Sequence, residues 1–182
     1  MRNLIYFFAF ISLNCFAQSK YLTKTGHVNF EASVPSFEEV KATNNTVTAI
    51  INSKNGEFAS LVLVKGFRFK NALMEEHFNE NYAESDTYPK ITFKGKIGDF
   101  YFNELSEIPK VLKVNGALTF HGITNQLENI PLNISINNQG DIIISGSFTT
   151  TPSDYDIEIP KVVRSKIAKN IDVTFNFQLK KK

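Results

Sequence analysis

Few side chains in this chain are of a type and spacing that could do chemistry. The three histidines, His27, His77 and His121, are far apart in the sequence. No His-x-x-x-His, Cys-x-x-Cys or carboxylate-rich loop accompanies them, so nothing marks a metal site. Nucleophilic catalysis has no better support. There is no Gly-x-Ser-x-Gly elbow, no Gly-rich phosphate loop joins a strand to a helix, and the single cysteine is Cys15. Glu38-Glu39 and Glu75-Glu76 are adjacent carboxylates, and adjacent residues on a helix face different ways, so they read as solvated surface rather than an acid/base pair. The sequons at Asn44 and Asn133 arise by chance too readily to carry weight. The expectation is a protein that is not an enzyme, with no cofactor, no metal and no catalytic residue. His77 and His121 stand beside apolar segments. Each is expected to bond a backbone carbonyl and fasten a loop to the rim of a sheet, rather than do ligand or proton chemistry.

The ends and the composition narrow the class further. Arg2 precedes an apolar run from Leu4 to Leu13, closed by Cys15-Phe16-Ala17 before Gln18. This is the layout of a secretory signal peptide with a small-x-small cleavage site, and the run is shorter than the roughly 20 residues a spanning helix needs. The expected division is a signal peptide over residues 1–17 and one domain over residues 18–182, periplasmic or secreted. The competing reading makes Cys15 a lipid-modified first residue, but that processing favours a small residue before the cysteine, and here it is Asn14. Cleavage after Ala17 leaves a domain without cysteine, held by its core alone. Lys plus Arg number 20 against 18 Asp plus Glu, a formal charge of +2 that argues for neither nucleic acid nor a strongly anionic surface. Lys180-Lys181-Lys182 reads as a solvated tail.

The elements that would position any site are mostly strands. Val28, Phe30, Ala32 and Val34 alternate with polar residues from Gly26 onward, the period of a strand with one buried face. Pro35 and the polar run to Asn45 break it. Thr46 to Ser53 and Glu57 to Phe69 read as two strands around Lys54-Asn55-Gly56, where Asn-Gly suits a tight hairpin. Ala72, Met74, Phe78 and Tyr82 then fall at helical spacing, so a short apolar helix lies across the sheet. Lys90 to Phe102, Val111 to Gly122, Gln126 to Asn137, Asp141 to Thr149 and Ile171 to Lys180 follow as strands. Thr150 to Asn170, with Pro152 and Pro160, reads as a long loop with one helical turn.

About eight antiparallel strands can close as an up-and-down barrel or pack as a two-sheet sandwich, and periodicity does not choose between them. Composition leans towards the barrel. With the leader removed the domain has 13 phenylalanines and no tryptophan, and several of the phenylalanines share the apolar parity of their strands. Aromatic walls suit a long apolar guest, although the same rings would also serve a filled core.

Two segments bear on function most directly. NALMEEHFNENYAESDTYPKITF (Asn71 to Phe93) and VNGALTFHGIT (Val114 to Thr124) together resemble the signature of the YceI-like family, exported lipocalin-like barrels that hold a polyisoprenoid or similar lipid chain. The first block presents His77, Phe78, Tyr88, Pro89 and Phe93. The second presents Gly116, Leu118, Thr119, Gly122 and Thr124, with His121 at the usual histidine. The resemblance runs from about Tyr21 to the end. Departures fall at loops, namely Ser153-Asp154-Tyr155-Asp156-Ile157 and a first strand without the acidic-His-Ser opening, and they bear on the ligand rather than the fold.

The resemblance implies an all-β, eight-stranded antiparallel lipocalin-like barrel with one short helix, carrying a polyisoprenoid or other long-chain lipid. Strand parity and the helix face together give Phe30, Phe67, Phe69, Met74, Phe78, Phe93, Leu118, Phe120, Phe175 and Phe177 as the lining. Phe67 and Phe69 share a face with Lys65, which makes their parity doubtful. A homodimer is left open, as is a structural or interaction barrel of the envelope with a filled core.

Overall fold

The computed structural model describes residues 19–182. The expected leader over residues 1–17, Cys15 included, lies outside the described residues.

Nine strands form one sheet: β1 Lys20–Ser33, β2 Lys41–Asn52, β3 Glu57–Leu63, β4 Arg68–Phe69, β5 Lys90–Ile97, β6 Lys110–Phe120, β7 Ile123–Ile136, β8 Ile142–Thr150 and β9 Ile167–Lys181. Apart from the two-residue β4, each strand pairs antiparallel with its chain neighbours, and β9 pairs back onto β1. Eight strands therefore close into an up-and-down barrel without a free edge, which decides against the sandwich. β4 adds one short pairing to the start of β2, Ala42 opposite Phe69. The helix α1, Ala72–His77, continues as a wider turn over Phe78–Tyr82.

Several boundaries differ from the sequence expectation, each for a local reason. β2 begins at Lys41 instead of Thr46. Its inward positions include Ala42 and the fully buried Asn44, and a polar residue on the buried face disguised the alternation. Asn44 is satisfied there: its Nδ2 donates to the Leu63 carbonyl at 2.9 Å and its Oδ1 accepts from the Thr46 amide at 2.9 Å. β3 ends at Leu63 because Val64–Gly66 forms a 3-10 turn. That turn lets Val64 and Phe67 both point inward while Lys65 stays outside, paired with Asp86 at 2.6 Å. β5 stops at Ile97, and Phe102 belongs to a 3-10 turn. The long loop before β9 holds two 3-10 turns, Pro152–Tyr155 and Arg164–Lys166.

Two hairpins exchange roles. At Lys54-Asn55-Gly56 only Gly56 has a positive φ, +72°, and its amide bonds back to the Asn52 carbonyl, so the turn is a wider one. The two-residue turn is His121-Gly122, with φ of +49° and +76°, joining Phe120 to its partner Ile123. Positive φ at both central positions matches the twist of the flanking strands. Gly122 has a second reason to lack a side chain, since a Cβ there would sit 2.9 Å from the Tyr88 ring.

The barrel has two unlike ends. At one end the start of β1, the end of β9, the β2–β3 turn, the β5–β6 connection and the β7–β8 turn cover a solid core in which Ile51, Ile97, Ile134, Ile142, Ile144 and Leu179 are almost wholly shielded from solvent. At the other end lie the β1–β2 loop, α1, the His121-Gly122 turn and the segment from Thr151 to Lys166. One seam is incomplete. β7 and β8 pair only from Leu132–Gly146 to Ile136–Ile142, so the first half of β7 and the last residues of β8 part towards the open end.

Candidate functional site: a phenylalanine-walled cavity

The open half of the barrel contains a cavity of about 420 Å³. Its floor is a layer of four phenylalanines. Phe58 meets Phe93 at 6.0 Å and Phe177 at 5.8 Å between centroids, and Phe175 stacks on Phe177 at 5.6 Å. Glycine makes this layer fit. A Cβ on Gly26 would lie 2.5 Å from Phe177 Cδ1, on Gly116 2.6 Å from Phe93 Cζ, and on Gly146 2.6 Å from Phe175 Cζ. Phe93, Phe175 and Phe177 therefore lie directly on backbone. Gly116 therefore leaves no room beside Leu118: Phe93 fills that space, and the free volume lies further towards the mouth.

One wall is a second aromatic group. Phe30 on β1 meets Phe67, Phe69 and Phe78 at 5.2, 5.7 and 5.3 Å. Such pairs add about 0.5–1.5 kcal/mol each beyond simple burial. Leu118 and Phe120 come from β6, while Met74, Phe78 and Tyr82 come from the helix. All ten residues picked out by parity and helix face border this one cavity. Ala72, which helical spacing placed with Met74 and Phe78, is exposed instead.

The helix is set over the mouth by polar side chains. Asn71 Oδ1 accepts from the amides of Leu73 at 2.9 Å and Met74 at 3.3 Å, capping the helix, while its Nδ2 donates to Glu38 at 2.8 Å and ties the helix to the β1–β2 loop. Glu75 accepts from the Phe69 amide at 3.1 Å and pairs with Arg68 at 3.0 Å. Glu38 and Glu75 are thus clamps, and their neighbours Glu39 and Glu76 are exposed.

His121 performs the fastening role expected of it. Its Nδ1 lies 3.0 Å from the Tyr155 carbonyl, and because a carbonyl only accepts, Nδ1 carries the proton. Its Nε2 has no hydrogen-bond partner and lies 3.6 Å from Glu84 Oε2. His77 does not behave as expected. It is exposed at the mouth, and no hydrogen bond ties its ring to a loop.

Tyr155, which is 2% exposed, plugs the gap where β7 and β8 part. Its hydroxyl has no hydrogen-bond partner, with the Thr150 and Asn125 side chains nearby but outside hydrogen-bond geometry. Burial pushes its pKa up, so the phenol stays neutral. The turn carrying it is a capping box: Asp154 accepts from the Thr151 amide at 2.7 Å and from the Thr150 hydroxyl at 3.0 Å. That amide above all holds the Asp154 carboxyl below the usual aspartate range.

Sequence reasoning missed part of the lining. Phe58 and Phe148 border the cavity and share the apolar parity of their strands, so they were within reach. Phe37, Ile157, Ile159 and Val163 also border it, but they come from loops without any period to reveal them. Among the described residues, no three His, Cys, Asp or Glu side chains come together in a group able to hold a metal ion, and no helix is long and apolar enough to cross a membrane.

The chain matches the family model described as YceI-like domain over residues 19–179. No curated protein matches it. Among solved structures, a polyisoprenoid binding domain from Saccharophagus degradans is similar with a TM-score of 0.79 at 16% identity, covering 91% of this chain and 99% of that one. BcnA of Burkholderia cenocepacia gives 0.68 at 15% identity over 85% and 95% of the two chains. A YCEI protein of Campylobacter jejuni gives 0.56 at 14% over 80% and 88%. At these identities the likeness is one of fold.

Proposed function

The chain belongs to the YceI-like family, and from that premise we propose that it is an exported carrier which holds a polyisoprenoid or similar long-chain lipid inside the barrel. The observation that carries this reading is the 420 Å³ space walled by phenylalanine and aliphatic side chains. Its few polar neighbours include Glu38, Asn71, His77 and Lys166, which come from the loops and helix at the mouth. An apolar chain would lie along the rings with any polar end at the mouth. Each buried methylene contributes about 0.8 kcal/mol before ordering costs, so affinity should rise with chain length. The similar fold of a polyisoprenoid binding domain supports the choice of guest.

The test is protein purified from its native host, examined by native mass spectrometry and by analysis of its lipid extract. A discrete adduct that extracts as a long-chain lipid is the expected result. Lipid-free protein that also takes up no long-chain isoprenoid alcohol would overturn the proposal. The export half of the reading is tested separately by intact mass. A chain starting at Gln18 is expected, and an acylated Cys15 or a retained leader would overturn it. The reading assigns no reaction to the protein, so His77→Gln and His121→Gln are expected to abolish no activity. A hydrolytic or isomerase activity lost in either folded variant would refute that part.

A further inference from the structure

The mouth of the cavity is not uniform. The β1–β2 loop and the helix carry the acids Glu38, Glu39 and Glu76. The strap, residues 157–166, ends beside that loop where Ile167 pairs with Ser33, and it carries Lys161, Arg164 and Lys166 against a single acid, Glu158, with Lys169 following on β9. The strap is two-faced. Ile157, Ile159, Val163 and Ile167 border the cavity, while Val162, 83% exposed, projects into solvent between Lys161 and Arg164. Exposed large apolar side chains recur around this rim, at Phe37 and Leu73 as well as Val162.

The strap is also weakly tied to the barrel. From Ile159 to Lys166 its hydrogen bonds are local: the amides of Val163 and Arg164 reach the Pro160 carbonyl at 3.1 Å, the Lys166 amide reaches Val163, and Arg164 Nη2 donates to the Ile159 carbonyl at 3.2 Å. Between its two ends, where the Ile157 amide reaches the Pro152 carbonyl and Ile167 pairs with Ser33, its attachment to the barrel is the apolar face, so Ile159 to Lys166 can shift without breaking the β-ladder.

We propose that this strap docks on an anionic lipid bilayer, with Val162 entering the headgroup layer and Lys161, Arg164, Lys166 and Lys169 facing the lipid phosphates. Four clustered cations match an anionic surface, and an exposed apolar residue among them adds a contact that a soluble polyanion would not use. The acids of the helix and of the β1–β2 loop are repelled by the same surface, so the barrel sits tilted, strap side down. Its mouth is then placed against the membrane for lipid to pass. The docking rests on the carrier reading for its purpose but not for its chemistry.

The experiment is co-sedimentation of the full chain with vesicles of phosphatidylcholine alone and of phosphatidylcholine mixed equally with phosphatidylglycerol, with bound lipid measured in parallel. Binding is expected to the mixed vesicles only, and to weaken as salt rises. Lys161→Gln is expected to weaken it about fivefold and Val162→Ser about tenfold. Neither residue borders the cavity, so both variants should retain their lipid. Ile108→Ser, at an equally exposed residue of the closed end, should change nothing. Equal binding to both vesicle types, no response to Lys161→Gln and Val162→Ser, or an equal loss on Ile108→Ser would overturn the docking. Protein that docks but holds no lipid would leave the docking standing and sink the carrier. Protein that holds lipid but does not dock would do the reverse.

Discussion

The two halves of this barrel are built from the same eight strands and differ in what fills them. The closed half is mainly aliphatic: Ile51, Ile97, Ile134, Ile142, Ile144 and Leu179 interdigitate with almost no exposed surface. The open half is aromatic, and Phe30, Phe69, Phe78, Phe93, Phe120 and Phe175 remain only partly buried although they face inward. Branched aliphatic side chains nest into one another at crystal-like density. Flat rings laid against walls and on glycine backbone make smooth surfaces and leave the axis empty. The boundary is the layer of Phe58, Phe93, Phe175 and Phe177, seated on Gly26, Gly116 and Gly146. A barrel of this size can hold side chains or a guest, and this one is filled by side chains in one half and leaves a cavity in the other.

The contrast is sharpest in a paired truncation. Leu179→Ala in the closed half should cost about 2–5 kcal/mol, lowering Tm by roughly 4–20 °C, with little change in bound lipid per folded molecule. Phe120→Ala in the open half should cost roughly 1–2 kcal/mol, because its ring already borders open space, yet reduce lipid retention. Thermal melts alongside lipid analysis separate the two. Equal stability costs would mean that the open half is packed as tightly as the closed one.

The floor is the next place to press. Gly116→Ala would put a methyl about 2.5 Å from the Lys94 carbonyl oxygen and 2.6 Å from the Phe93 ring. Backbone cannot yield cheaply, so a loss of about 1–3 kcal/mol is expected in a denaturant titration. A neutral result would show that Phe93 does not rest where the contact places it.

Leu118→Trp adds bulk above that floor. Its expected signature is unchanged strand content by circular dichroism, nearly unchanged Tm and lost lipid. A drop of about 1–3 kcal/mol, the usual cost of overpacking, would instead show a filled lumen.

The smallest expected effect is at the seam, where Asp154 caps the turn that carries Tyr155. Its carboxyl is held below the ordinary aspartate value of about 3.9. A depressed pKa contributes stability that is present above the unfolded value and is lost as pH falls through the folded one, so this contribution disappears only in acid below about pH 4. Asp154→Asn should remove it at neutral pH, for a loss of about 1 kcal/mol or less, and flatten the acid limb of a stability–pH curve. An unchanged acid limb would mean that the cap does not hold the seam.

How much of this was legible in the sequence follows from where periodicity survives. β9 alternates without interruption through Ile171, Val173, Phe175 and Phe177, and its inward face was readable position by position. β2 hid its first half because Asn44 occupies an inward site, where its Nδ2 finds its acceptor only in the Leu63 carbonyl, nineteen residues away. Phe67 and Phe69 were chosen although they share parity with Lys65, and a 3-10 turn reconciles them. The strap residues Ile157, Ile159 and Val163 could not be found at all, since a loop has no repeat to betray which side faces in. The loop-fastening role of His121 is legible, although the strand pattern runs on through Gly122 and hides the turn at His121-Gly122, whereas His77 lacks the partner expected for it.

The sequence by itself determined an all-β chain with one short helix, a family, and an apolar inner face rich in phenylalanine, because those properties are local or compositional. Closure of β9 onto β1, the seam between β7 and β8, the aromatic floor that divides a solid half from a hollow one, and the strap over the mouth were decided only by tertiary structure. Each depends on contacts between residues far apart in the chain, such as Gly146 beneath Phe175 or His121 beneath Tyr155, and no pattern along one segment encodes which distant surface it will meet.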